Sequence, residues 1–180
     1  LHVDGDEFVA KNCKLLGNQD TLFTGNENSC QLYLQCEIEG TTDFIFGPAT
    51  CWFEDCVITS RKNSWITAAS TPQTNAVGYV FNNCKIKAKE GVDKVFLGRP
   101  WRAYAAVVFM HCELGAQIDA AGWENWKNTE HDKTARYAEY QNTGAGAKSD
   151  SRVGFAKQLT KKEAKQLSMK KVFAGWSPKM

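Results

Sequence analysis

One phrase returns five times in this chain and limits what it can fold into. It reads Phe8-Val-Ala-Lys-Asn-Cys13-Lys-Leu15, Leu32-Tyr-Leu-Gln-Cys36-Glu-Ile38, Trp52-Phe-Glu-Asp-Cys56-Val-Ile58, Val80-Phe-Asn-Asn-Cys84-Lys-Ile86 and Val108-Phe-Met-His-Cys112-Glu-Leu114. The cysteines recur every 20 to 28 residues, each with an apolar residue two positions on. Strand-like alternation at that period, with Gly, Asn and Asp in the intervals, is the mark of a solenoid. The expected fold is all-β, a right-handed parallel β-helix with one coil per repeat. The five cysteines then stack inside as small hydrophobes, not as disulfides or metal ligands. A second apolar phrase in each coil predicts a second parallel sheet: Thr21-Leu22-Phe23, Phe44-Ile45-Phe46, Trp65-Ile66-Thr67 and Val95-Phe96-Leu97.

The seven cysteines include no C-x-x-C pair, which argues against zinc and thioredoxin-like chemistry. Cys30 and Cys51 fall outside the repeat and are open to two readings, free thiols or one bridge. A net charge of +2 gives no argument for nucleic acid or a membrane surface. No apolar run is long enough to span a bilayer. The 180 residues suffice for one domain with a real core. After Leu114 the repeat fades; Tyr137-Ala-Glu139-Tyr140 is read as a last strand. Thr160-Lys-Lys-Glu163 is a capping box that opens a short helix to about Leu167. Its lysines form a solvated face, and the helix is expected to cover the end of the solenoid.

Within the run Gly40-Thr-Thr-Asp43-Phe-Ile-Phe-Gly47, Asp43 is one ionisable group in an apolar stretch bounded by glycines. Alone, it reads as a turn-capping aspartate at a strand edge. Its register changes that. Asp20 lies seven residues after Cys13, and Asp43 seven after Cys36. If the cysteines stack, so do the aspartates, on strands about 4.8 Å apart. Carboxyls that close share a proton, the arrangement that nucleophile-plus-acid chemistry uses. A solvated or calcium-bridged pair fits the spacing equally well. Gln19 adds amide donors for an oxyanion. Arg99 supplies a cation, and Trp101 an indole suited to a sugar face. Unequal loop lengths leave the reach from Arg99 to Asp43 underived.

Gln19-Asp20-Thr21-Leu22, Asp43-Phe44-Ile45-Phe46-Gly47 and Leu97-Gly98-Arg99-Pro100-Trp101, in that order, resemble the signature motifs of pectin methylesterases. The resemblance extends from Gly5-Asp6 to the Trp123 and Tyr137–Tyr140 region. It implies a parallel β-helix that hydrolyses methyl esters on polygalacturonate. It further implies Asp43 as nucleophile, Asp20 as acid and then base, Gln19 as oxyanion donor and Arg99 as the group that keeps Asp43 ionised. Trp101, Phe46 and Phe23 are implied as substrate contacts. No cofactor and no metal is expected. The expected partner is the polysaccharide, with no nucleic acid, no membrane and a monomeric chain, in a secreted, periplasmic or cell-wall setting set by the polymer.

The family pattern carries a second oxyanion glutamine just upstream, and Leu1 resembles the last residue of that motif. Residues 1–180 are therefore expected to be the C-terminal part of one β-helical domain, impaired or inactive by itself. Losing one oxyanion donor costs about 100- to 1000-fold in turnover. A serine esterase is disfavoured, since there is no G-x-S-x-G elbow and His2, His111 and His131 stand in no relation to a serine. The competing readings are another pectin-active β-helix (a polygalacturonase or pectate lyase) and a non-catalytic glycan-binding β-helix.

Overall fold

A computed structural model describes residues 1–178. The chain winds as a parallel β-helix with three sheets rather than two. The first sheet stacks His2–Val3, Leu22–Thr24, Ile45–Gly47, Trp65–Ala69 and Phe96–Gly98 in sequence order. The second and longest stacks Phe8–Lys11, Cys30–Leu34, Thr50–Glu54, Tyr79–Asn82, Ala106–Met110, Arg136–Tyr140 and Ala156–Gln158. The third stacks Lys14–Leu16, Glu37–Gly40, Val57–Ser60, Lys85–Ala88 and Glu113–Leu114.

The repeated phrase is a corner, not a single strand. Asn12, Gln35, Asp55, Asn83 and His111 each precede a cysteine and adopt φ between 52° and 56°. Short polar side chains tolerate this left-handed turn best, which explains the polar residue before most of the cysteines. The chain turns there from the second sheet into the third. Cys36, Cys56, Cys84 and Cys112 are buried, and their thiols face carbonyls one coil below, for example Cys84 to Phe53 at 3.4 Å and Cys112 to Phe81 at 3.4 Å. In the next coil Asn142 takes over the rung, accepting from Cys112 N–H at 2.9 Å. Cys13 departs from the expected ladder: it is exposed, because Phe8–Lys11 and Lys14–Leu16 are the edge strands of their sheets among the described residues.

Cys30 and Cys51 are both free. Cys30 pairs with Thr50 in register and Cys51 with Gln31, so the two thiols are not opposite one another. In native protein one thiol, Cys13, is expected to react quickly with a labelling reagent and Cys30 slowly. The other five should stay protected until unfolding. Five or more reactive thiols in folded protein would contradict the buried ladder.

The core holds a second ladder that the cysteines hid. Tyr33, Phe53, Phe81 and Phe109 are in register and stack nearly parallel, with centroids 4.8, 4.3 and 4.3 Å apart. Outward, the second sheet presents Leu32, Trp52, Val80, Val108 and Ala138 in one row. That apolar face determines where the C-terminal segment goes. The capping box forms as expected, but it opens only a short helix, α1 (Lys161–Ala164), followed by α2 (Met169–Val172). Ala164, Leu167, Met169, Val172 and Phe173 pack on the flank of the second sheet, not on the end of the solenoid. The strand Arg136–Tyr140 is present, and Ala156–Gln158 adds one more beside it.

Candidate active site

The first sheet carries the predicted residues on its outer face. Leu22 pairs with Ile45 and Phe23 with Phe46, which sets Asp20 opposite Asp43 on the neighbouring coil. Both aspartates hold left-handed backbone, φ 56° at Asp20 and 49° at Asp43. Backbone N–H groups tie each turn into the next coil, from Asp20 to the Thr42 carbonyl and from Asp43 to the Trp65 carbonyl. Gly47 explains how tightly this strand lies on the coil below. Its φ is +128°, and a Cβ there would sit 2.3 Å from the Thr24 carbonyl oxygen.

Gln19, Asp20, Asp43, Phe46, Ala68, Trp101 and Trp126 line a cleft of about 180 Å³. Larger cavities, up to about 370 Å³, open on the flank of the second sheet, but none of them gathers two carboxylates. Arg99 does reach Asp43. Its Nε donates to Oδ1 at 3.0 Å and its Nη2 to Oδ2 at 2.6 Å, a two-point fork that fixes the carboxylate plane. Asp43 is buried, 6% exposed, while Asp20 lies at the surface of the cleft. Burial pushes the Asp43 carboxyl above the ordinary aspartate range, and the hydrogen bonds and charge of Arg99 pull part of that back. Asp20 is also raised, first by burial and then by the charge of Asp43. Behind the strand, the Tyr137 hydroxyl is buried with no hydrogen-bond partner among the described residues, and the Asp43 charge raises that phenol beyond what burial does.

Two residues of this site carried no signal in the sequence. The Arg99 guanidinium lies between two indoles, 3.6 Å from the ring centre of Trp65 and 4.1 Å from that of Trp126. Trp65 is held in turn by Glu124, whose carboxylate accepts from the indole N–H at 2.8 Å. Cation–π contact with both indoles holds the guanidinium, and its Nε and Nη2 are turned to Asp43. Trp126 comes from a loop 27 residues after Arg99, so no local pattern could join them. Phe23 and Phe46 lie 4.8 Å apart, with Trp101 edge-on to Phe46 at 6.0 Å, an aromatic strip running along the helix axis past the two aspartates. His131 is drawn into the loop structure, its Nδ1 bonded to the Pro100 carbonyl at 2.9 Å. His111 is an exposed corner residue rather than a strand residue.

Fold and site together define a right-handed parallel β-helix with two neighbouring aspartates, one of them held by an arginine, in an aromatic cleft on its outer face. The family model described as Pectinesterase matches residues 1–175, and the chain belongs to the pectinesterase family. It is 37% identical to "Probable pectinesterase/pectinesterase inhibitor 64" of Arabidopsis thaliana, over 88% of this chain and 30% of that protein. It is 40% identical to "Probable pectinesterase A" of Neosartorya fischeri, over 84% of this chain and 47% of that one. Among solved structures, the pectin methylesterase from carrot superposes with a TM-score of 0.83 at 33% identity, covering 91% of this chain and 55% of that chain. The chain spans about half or less of the length of these curated relatives.

Proposed function

We propose that the site hydrolyses methyl esters of polygalacturonate, releasing methanol and leaving a carboxylate. The two-point contact from Arg99 to Asp43, beside Asp20 on the adjacent coil, carries this reading. Asp43, kept ionised by Arg99, attacks the ester carbonyl carbon. Gln19 donates to the tetrahedral oxyanion. As the C–OCH3 bond breaks, Asp20 gives its proton to the departing methoxide, and an anhydride joins Asp43 to the sugar carboxyl. Asp20, now a base, takes a proton from water, which attacks the anhydride and frees Asp43. Trp101, Phe46 and Phe23 lie where sugar rings of an extended polymer would stack. We read residues 1–180 as one β-helical domain acting as a monomer on a wall polysaccharide in a secreted, periplasmic or cell-wall setting.

The pH dependence of methanol release tests the division of labour. Turnover should rise with pH as Asp43 ionises and fall again as Asp20 loses its proton, the pair titrating in two steps. Both limbs are displaced upward from the ordinary aspartate value of about 3.9. Asp20→Asn should remove the alkaline limb and cost about 100- to 10,000-fold. It should also stabilise the fold at neutral pH. The folded pKa of Asp20 is raised, so the folded state holds this proton more tightly than the unfolded chain. Stability is therefore lost as pH rises from the ordinary aspartate value through the raised one, and asparagine escapes that loss. Unchanged turnover with the alkaline limb intact would place the acid elsewhere.

A further inference from the structure

The strand Trp65–Ala69 lies between the strands that carry Asp43 and Arg99 and holds both of them. Its carbonyls accept three N–H groups of the site: Asp43 on Trp65 at 2.9 Å, Arg99 on Thr67 at 3.0 Å and Trp101 on Ala69 at 3.1 Å. Backbone bonds fix where a side chain starts, not where it ends. An arginine side chain is long and rich in rotamers, so a guanidinium that must stay on one carboxylate needs a second restraint.

Trp65 supplies that restraint. Its indole packs on the guanidinium, 3.6 Å from ring centre to Cζ. The indole is itself held at two points. It lies within 18° of parallel to Phe96 on the next coil, with centroids 6.3 Å apart, and its N–H donates to the Glu124 carboxylate at 2.8 Å. Glu124 is set by its own N–H, which donates to the carbonyl of Gly98, the residue before Arg99, at 3.2 Å. The neighbouring Trp123 is buried and donates to Glu139, on which Arg152 closes a second two-point fork. Among the described residues, this strand lines the cleft through Ala68 and not through Trp65. Trp126 both lines the cleft and touches Arg99, so a substitution there mixes two roles.

We infer that Trp65, tethered by Glu124, is a positioning residue for the proposed reaction: it keeps the Arg99 fork closed on Asp43. The inference rests on Asp43 acting as the nucleophile. Without the indole the guanidinium samples other rotamers, and Asp43 spends part of its time without its cation. Burial then raises the carboxyl with less opposition, and a smaller share is ionised at a given pH. The carboxylate plane is also no longer fixed for attack. Besides Arg99, the charged side chain beside Asp43 in the cleft is Asp20, and the buried Tyr137 phenol lies behind the strand. Changes at Trp65 and Glu124 leave both in place.

The test follows methanol release over a pH series in the 180-residue chain and its Trp65→Leu, Glu124→Ala and Glu124→Gln variants. Trp65→Leu should lower kcat about 10- to 100-fold with KM nearly unchanged, and move the acid limb to higher pH. Glu124→Ala should show the same pattern at a smaller loss. Glu124 is exposed, so this variant carries the test if Trp65→Leu does not fold. Glu124→Gln still offers an oxygen to the indole N–H and should restore most of the turnover. A raised KM in Trp65→Leu, with kcat and the acid limb unchanged, would make Trp65 a platform for sugar and overturn the proposal. Equal damage from Glu124→Gln and Glu124→Ala would overturn the tether. The NMR signal of the Arg99 Nε–H gives a readout independent of turnover. It should be protected from exchange in the unmodified chain and lost to exchange in Trp65→Leu and Glu124→Ala. A signal unchanged in both would overturn the proposal whatever the rates. Loss of that signal in the variants of a chain that releases no methanol from any methylated pectin would leave the clamp on Arg99 standing and refute the cleft reaction instead.

Discussion

Asp43→Asn is expected to abolish methanol release, by about 1000-fold or more, while leaving the fold and its melting temperature nearly unchanged. The contrast follows from what asparagine keeps and what it lacks. Asp43 sits at φ 49°, a left-handed conformation that asparagine adopts more easily than most residues. The amide oxygen still accepts one of the two Arg99 N–H groups that now bind Oδ1 and Oδ2. What disappears is the negative oxygen that forms the bond to the ester carbon. Alanine would be a poorer probe, because it empties the Arg99 fork and strains the turn together. Near-normal turnover in Asp43→Asn would remove the nucleophile assignment outright.

Phe81→Ala is expected to be the most damaging of the core substitutions, at about 3–5 kcal/mol. Phe81 is fully buried and stacks on both faces, against Phe53 and Phe109, each 4.3 Å away and within 7° of parallel. Truncation leaves a void between two rigid rings, held in place by the strand register on either side. A parallel solenoid relaxes poorly into such a gap, because each coil is fixed by hydrogen bonds to both neighbours. For a chain of this size the loss corresponds to a fall in melting temperature of roughly 6–20 °C. A fall of less than about 3 °C would show that the ring stack is not a principal support of the coil.

The legible part of this protein was its period. The cysteine spacing sets the coil repeat, and the coil repeat alone places Asp20 beneath Asp43. That inference works because a parallel β-helix converts equal sequence intervals into spatial stacking. The third sheet is not visible in the period, because the repeated phrase has the length and alternation of one strand. A single left-handed residue before each cysteine, such as Asn83 or His111, splits it in two. Cys13 shares the phrase but not the burial, since among the described residues its coil has a neighbour on one side only. The reach of Arg99 and its clamp by Trp65 and Trp126 depend on loops of unequal length, which no repeat encodes. The C-terminal helices went to the flank because a row of outward apolar residues from Leu32 to Ala138 needed cover. That row lies on five coils and is invisible as a local pattern.

The central claim is that an aspartate pair on the first sheet cleaves the methyl ester and leaves the polymer backbone whole. The most direct test is a product analysis of methylated polygalacturonate treated with this chain, scoring methanol, new reducing ends and unsaturated uronates in one sample. Methanol should accumulate in step with new carboxylate, with no rise in reducing ends and no unsaturated product. Reducing ends or unsaturated uronates without methanol would contradict the account, and would make the cleft a glycosidic-bond hydrolase or a lyase.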